Sequence, residues 1–331
     1  MNGDFAFEIG RLIPPGPEMH IAEHVRVHWA ELIAAEREQE NAERNRIAAL
    51  HRQSLEAMRL LALVSNDALT WAKQQFSKSL EDEGGSQDET EYYAVTSGVA
   101  GRAIEAFEDI ICLLEAGRID GAHARLRSLQ EIFVVTAVIA VHGQPDGEHP
   151  NLARAYADHH RVFARSLAEE LLATGNVKSQ ILDEKVLIRL EQMREELIGR
   201  YGSEYKSLWG WAVELFPPKT RVTLVRLASL IDVELAALNS IASSHVHASS
   251  EGWHAFIAAD DDTTGGFDYV SALGSGLFVL TMQCVIPLSI SRDGEVDLSG
   301  EAWLQSMGHL QSLLTADGAV SGEDPPEACH R

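Results

Sequence analysis

Residues 126–141 read LRSLQEIFVVTAVIAV, a stretch with the length and apolar composition of a buried helix. Arg127 and Glu131 interrupt it one helical turn apart, so their side chains share a face. Burying a charge is costly unless it is paired. The stretch therefore predicts a buried ion pair that locks the packing of this helix, or separate pairs of Glu131 with Arg154 and of Arg127 with Glu105. In the alternative, the two side chains orient functional groups on a neighbouring helix.

Helical periodicity extends along most of the chain, and the periodic segments end at glycine or proline. The predicted helices are residues 18 to about 80 (two helices or one long one), 89–116, 119–142, 151–173, 179–200, 232–249, 267–291 and 299–314. Trp209 and Trp211 lie in a short amphipathic piece, and residues 260–266 are typical of a loop. We therefore predict an all-α protein, a multi-helix bundle with more than half of its residues in helix and no sheet of three or more strands.

Proline, glycine and charge divide the chain into four predicted parts. With 331 residues, 45% of them hydrophobic, the chain can form one large core or two modest ones. The parts are an irregular N-terminal arm (1–17), long N-terminal helices (18–87), a central and C-terminal helical bundle (88–315) and a flexible acidic tail (316–331).

The net charge of −23 repels nucleic-acid phosphates unless a local basic patch overrides it. From residue 251 to the end there are thirteen Asp or Glu against two Arg, whereas residues 118–165 carry six Arg against five acids. Any RNA-binding surface is therefore expected in this central segment.

Three cysteines, Cys112, Cys284 and Cys329, are too few and too widely spaced for a disulfide framework or a zinc site. The start of the chain lacks the basic and apolar regions of a signal peptide, so a cytoplasmic location is predicted.

Residues 269–291 carry no charge and are long enough to span a bilayer. Internal glycines, Pro287 and the absence of a basic flank favour a buried helix and no membrane contact.

His20, His24 and His28 recur every four residues, a spacing at which imidazoles can share a metal ion. The established metal, phosphate-loop and serine-hydrolase motifs are absent from the sequence. Neither a metal nor a cofactor is therefore expected.

The middle of the chain contains several polar motifs on successive predicted helices. They are Arg102 with Glu105, residues 126–131, residues 154–159, Trp209 and residues 243–248. This pattern resembles an uncharacterised bacterial all-helical family of unknown function over about residues 89–253. That family is remotely similar to the HEPN domains, many of which are metal-independent ribonucleases in toxins and phage defence.

The resemblance implies a HEPN-like central core with Arg154 and His159 as catalytic residues. HEPN ribonucleases use an arginine and a histidine four to six residues apart, with a polar residue usually next to the arginine, and a second protomer completes the site. Ala155 departs from that pattern. The supporting polar core would comprise Arg102, Glu105, Arg127, Glu131, Ser243 and His247. Arg127 and Glu131 could there orient His159 or His247.

Two functions remain open at this point. One is a ribonuclease effector of toxin or phage-defence type, in which His159 removes a proton from a ribose hydroxyl and Arg154 stabilises the charge on phosphate. The other is a non-catalytic protein-interaction or regulatory module, in which Arg154 and His159 pair with acids such as Asp158. Expected partners are RNA at the central segment, and a second copy of the chain or another protein.

Overall fold

The computed structural model describes residues 18–83, 86–174, 183–232, 263–285 and 305. These residues form helices and their connections, without a strand, and the helices alone account for more than half of the chain. They are α1 (Glu18–Leu50), α2 (Arg52–Glu83), α3 (Gln87–Glu115), α4 (Ile119–His142), α5 (Leu152–Ala173), α6 (Glu184–Tyr201), α7 (Leu224–Ile231) and α8 (Thr263–Val285). Two 3-10 turns, Ser203–Lys206 and Gly210–Leu215, lie between α6 and α7. The predicted all-α class is confirmed.

The chain divides into two compact units. Met1–Arg52 and Glu115–Gly117 form one, and Gln53–Leu114 and Arg118–Arg331 form the other. In the first unit, the described side chains of α1 are largely exposed. The second unit contains α2 to α8. The predicted divisions of the chain after residues 17, 87 and 315 stay predictions.

Helix α4 forms the centre of the second unit. Its residues 132–140 are all buried, as the apolar composition of residues 126–141 predicts. Helices α7 and α8 pack against α4. Helix α3 contacts both α4 and α8. Phe107 stacks on Phe278 of α8 with ring centroids 4.3 Å apart. The Tyr92 hydroxyl donates a hydrogen bond to the Ala140 carbonyl of α4 at 3.3 Å. These contacts bury the apolar face of α3 against α4 and α8.

Helix α5 is amphipathic, and it packs against α6 and against both 3-10 turns. Asp183 caps α6 by accepting a hydrogen bond from the Val186 amide at 2.9 Å. After α6, Gly202 adopts a φ of 95°, a conformation that favours glycine, and the chain turns back into the first 3-10 turn. The short turns thus lie beside α5, where they contribute to the site described below.

Several predicted boundaries are wrong. Helix α7 falls in a segment without a predicted helix. Thr223 caps this helix, because its hydroxyl oxygen accepts a hydrogen bond from the Arg226 amide at 3.3 Å. Helix α8 begins at Thr263, within the predicted loop 260–266. The long N-terminal segment, predicted as two helices or one, is in contrast two helices, which are separated by His51.

Other predictions lie wholly or partly outside the described residues. They are the N-terminal arm, the start of the predicted helix 179–200, residues 233–249 and 286–291, the predicted helix 299–314 except residue 305, and the acidic tail.

One described helix is long and apolar enough to cross a membrane, over Gly266–Val285, and 56% of its most apolar window is buried. It is α8, which packs along α4. A core helix of a bundle has the same length and composition, so this test is weak evidence for a membrane span.

Candidate functional site

Helices α3, α4 and α5 and the chain after the first 3-10 turn enclose a cavity of about 340 Å³, which we call the His159 cleft. It is lined by Val99, Arg102, Glu105, Ala106, Arg125, Ser128, Glu131, Ile132, Val135, Tyr156, His159, Leu208, Trp209 and Trp211. Arg102, Glu105 and Leu208 are exposed, so the cleft opens to solvent at their side. Its volume lies in the range of small-molecule sites.

His159 is 8% exposed and lies on the buried face of α5. Its Nε2 lies 3.0 Å from the Tyr205 carbonyl oxygen and 2.9 Å from the Ser207 carbonyl oxygen. Because both neighbours are acceptors, Nε2 carries the proton and donates, and Nδ1 of the neutral ring keeps a free lone pair. Burial lowers the pKa of His159, which favours the neutral ring. The arrangement therefore fixes the tautomer, with Nδ1 as the basic atom.

The two carbonyls are held in place by Tyr205, which is fully buried. Its hydroxyl donates to the Ala155 carbonyl of α5, and its ring stacks on Tyr201 with centroids 4.5 Å apart. The same ring meets His159 edge-on at 5.0 Å. Tyr205 thus fastens the first 3-10 turn to α5, so the position of the imidazole depends on this turn.

Arg102 and Glu105 come from one turn of α3, at i and i+3, and line the cleft at its exposed side. Among the described residues, neither forms an ion pair with another side chain. The Arg102 charge partly offsets the rise that burial causes in the pKa of the Tyr156 phenol. This guanidinium therefore lies near an α5 residue of the same cleft.

Helix α4 contributes Arg125, Ser128 and Glu131 to the cleft. Arg125 forms an ion pair with Asp109 at 2.6 Å, while its buried Nε has no hydrogen-bond partner among the described residues. The Arg127 Nη2 atom lies 3.5 Å from Glu131 Oε1, so the predicted i, i+4 pair forms, although Arg127 is outside the lining.

The predicted burial of Arg127 and Glu131 is wrong. Their side chains are 25% and 38% exposed. Glu131 borders the cleft, and uninterrupted burial along α4 begins only at the next residue, Ile132. Helical periodicity identifies a face of α4, but it cannot reveal a cavity beside that face.

Because the pair is half-exposed, Glu131→Ala should cost less than about 1 kcal/mol of unfolding free energy. Thermal and denaturant melts of the variant beside the wild type measure it. A loss of about 3 to 5 kcal/mol would show that the charge is buried after all.

Arg154 lies in a different cavity from His159. This second cavity, of about 390 Å³, is lined by Asn151, Arg154, Ala155, Arg200, Tyr201, Tyr205, Gly210, Trp211, Val213 and Glu214. The Arg154 guanidinium donates to Glu91 through Nε and to Asp88 at 2.9 Å through Nη2. Its charge holds the pKa of the Glu91 carboxyl below the usual range. Arg154 therefore links α5 to the first turns of α3.

The predicted pair of Arg127 with Glu131 forms, whereas the alternative pairs of Glu131 with Arg154 and of Arg127 with Glu105 do not form among the described residues. Glu131 pairs with Arg127 rather than Arg154, and Asp158 pairs with Arg161 at 3.0 Å. Arg154 does pair with acids, but these lie more than sixty residues earlier in the chain. No local sequence pattern predicts an ion pair between residues so far apart in the chain.

Of the predicted site residues, the structure brings together four: Arg102, Glu105, Glu131 and His159. Trp209, named in the resemblance, lines the same cleft. Ser243 and His247 lie outside the described residues. The lining also includes Arg125, Ser128, Tyr156 and Trp211, which the sequence motifs do not identify as site residues. Ser128 and Tyr156 do fall inside the motifs, next to Arg127 and two positions after Arg154.

The described residues contain no group of three or more His, Cys, Asp or Glu placed to hold a metal. His28 Nδ1 lies 3.1 Å from Glu31 Oε2. The structure does not describe the side chains of His20 and His24. The absence of a metal or cofactor stays a prediction.

The chemistry available in the His159 cleft combines two guanidinium groups, two carboxylates, one imidazole and aromatic rings. Tyr156 meets Trp211 edge-on, at 5.1 Å between centroids and an interplanar angle of 82°. Trp209 also lines the cleft and is half-buried. The cleft could therefore bind a planar ligand that carries both an anion and hydrogen-bond donors.

Comparison with known proteins gives a family but no function. No curated protein and no solved structure matches the chain. A family of unknown function, DUF5677, matches residues 93–264, slightly more than half of the 331 residues. That range contains every described residue that lines the His159 cleft. The chain therefore belongs to the family of unknown function DUF5677.

Proposed function

We propose that this chain is a metal-independent ribonuclease effector, of toxin or phage-defence type, with the His159 cleft as its active site. The observation that carries the proposal is the imidazole of His159. Its Nε2 donates to two carbonyls, its Nδ1 keeps a lone pair that no described residue occupies, and it shares a cleft with Arg102, whose guanidinium forms no ion pair within the described residues. The resemblance to HEPN domains supports the same chemistry, with Arg102 in the role first expected of Arg154.

The proposed reaction begins when Nδ1 of His159 takes the proton of a ribose 2′-hydroxyl. The 2′-oxygen attacks the adjacent phosphorus, and negative charge builds up on the phosphoryl oxygens. Arg102 stabilises this charge. The bond from phosphorus to the 5′-oxygen then breaks, and the 5′-oxygen takes a proton from water. The products are a 2′,3′-cyclic phosphate and a 5′-hydroxyl, and His159 later returns its proton to solvent.

The overall charge of −23 opposes nonspecific binding to RNA. Productive binding therefore depends on the cleft and on the less acidic central segment, residues 118–165. We expect a preference for single-stranded RNA, because an aromatic-lined cleft of about 340 Å³ accepts one unstacked nucleotide.

Expression of the wild type should arrest host growth, and the purified protein should cleave RNA in excess chelator with cyclic-phosphate ends. Growth curves, and end analysis of the cleaved RNA, measure the two effects. Arg161→Ala is the matched control, since Arg161 is an exposed α5 charge outside the cleft lining. This variant should keep full activity. Cleavage that chelator abolishes would exclude the proposed mechanism.

A non-catalytic interaction module is the second candidate. The observation that favours it is a row of exposed apolar side chains on α5, Phe163, Leu167 and Leu171, spaced one helical turn apart. Such a row suits a second copy of the chain or another protein. If the wild type cleaves no RNA, or a variant lacking the His159 base cleaves it equally well, the interaction module is the better account.

A further inference from the structure

We infer that the His159 cleft selects guanine nucleotides, with the Glu131 carboxylate binding the Watson–Crick edge of the base. This inference deepens the proposed function and rests on it in taking the substrate to be RNA. The feature that calls for an explanation is the presence of carboxylates, Glu105 and Glu131, in a cleft proposed to bind a phosphodiester. A carboxylate repels phosphate, so it needs a different partner within the ligand.

Glu131 is the better placed of the two carboxylates to bind a base. It is partly buried, and Arg127 holds its Oε1 from outside the lining at 3.5 Å. Glu105 is exposed and, among the described residues, has no ion-pair partner. A carboxylate that is already oriented loses less entropy when it binds a ligand.

The chemistry of the bases selects guanine. An ionised carboxylate only accepts hydrogen bonds, through two adjacent oxygens. Guanine presents two neighbouring donors on its Watson–Crick edge, N1–H and the N2 amino group. Adenine and cytosine each place an amino donor beside an acceptor there, and uracil has one donor between two acceptors. A site built for two donors rejects a base that leaves the carboxylate unmatched.

Trp209 and Arg102 provide the remaining contacts for a nucleotide. Trp209 is half-buried and lines the cleft, where its indole ring can stack on the base. Arg102 lines the same cleft as His159 and can bind the phosphate on the 3′ side of the guanosine. The cavity of about 340 Å³ is large enough for one mononucleotide.

Calorimetric titration with three probes tests the inference: guanosine, inosine and adenosine 3′-monophosphates. We expect the guanosine nucleotide to bind most tightly to the wild type. Inosine lacks only the N2 amino group, so its nucleotide should bind about tenfold more weakly. The adenosine nucleotide should bind more weakly still, because adenine places an acceptor, N1, beside its one amino donor and so repels one carboxylate oxygen.

Glu131→Gln should abolish the preference for guanosine over adenosine, because the amide replaces one acceptor with a donor. Glu108→Gln is the matched control, since Glu108 is an exposed glutamate on α3 outside the cleft lining. It should leave all three affinities unchanged. Melting curves confirm that both variants are folded.

The titration and the RNA-cleavage assay separate the two ideas. Guanosine-selective binding without cleavage would support the guanine site and exclude the ribonuclease. Cleavage at all four nucleotides equally would keep the ribonuclease and overturn the guanine site. Equal affinities for the three probes, absence of binding, or a preference that survives Glu131→Gln would also overturn it.

Discussion

His159→Gln is expected to lower the rate of RNA cleavage about a hundredfold to ten-thousandfold, the usual effect of removing a general base. The glutamine amide nitrogen can replace Nε2 as a donor to the Tyr205 and Ser207 carbonyls. It cannot replace the basic Nδ1. The substitution therefore tests the base while keeping the hydrogen bonds that hold α5 to the first 3-10 turn. Single-turnover cleavage of a short RNA measures the effect.

The pH dependence provides a second measurement on the same group. Burial lowers the pKa of His159, so the neutral ring persists below the usual value of about 6.5. Cleavage should therefore remain constant as the pH falls to about 6.5 and decline only below it, in step with protonation of His159. An acid limb above pH 6.5, or equal rates for the wild type and His159→Gln, would contradict the assignment of the base.

Gly210→Ala is expected to cost about 3 kcal/mol or more of unfolding free energy. A Cβ at this position would lie within 2.6 Å of three backbone atoms of Tyr205, the carbonyl oxygen, the carbonyl carbon and Cα. Backbone atoms cannot move aside as the end of a flexible side chain can, so the second 3-10 turn must shift. Denaturant unfolding measures the loss.

Gly199→Ala is the matched control, because a Cβ at Gly199 meets no atom within 4 Å. Gly199 lies within α6, where alanine is the better helix former, so this variant should be as stable as the wild type or more stable by up to about 1 kcal/mol. Gly210→Ala should also weaken cleavage, since Tyr205 supplies a carbonyl that anchors His159. Equal stability of the two variants would mean that the approach of Gly210 to Tyr205 is not as tight as described.

The sequence predicts the long helices well because their hydrophobic periodicity is sustained. The predicted bounds of α4 coincide with those observed, and α3 differs by one or two residues. Helix α7 is missed because eight residues are too few for a periodic signal, and its Thr223 cap is a short-range cue that many loops share. Long-range ion pairs cannot be predicted in this way, and Arg154 with Asp88 and Glu91 is the main example.

The candidate site is predictable in part. Motifs on successive helices identify Arg102, Glu105, Glu131 and His159, which line one cleft. The spacing of Arg154 and His159 along α5 does not reveal that they line different cavities, because this depends on how the 3-10 turns pack against the helix. The catalytic role of either residue stays a prediction.

The central claim is that the reaction takes place in the His159 cleft, with Arg102 rather than Arg154 at the phosphate. Cleavage rates of Arg102→Ala and Arg154→Ala, measured side by side and per folded molecule, test it most directly. Arg102→Ala should lose at least about a hundredfold in rate with an unchanged melting temperature, because Arg102 has no ion pair to lose within the described residues. Arg154→Ala should lose about 1 to 2 kcal/mol of stability with its two ion pairs, yet keep its rate. Loss of activity in Arg154→Ala with full activity in Arg102→Ala would contradict the account.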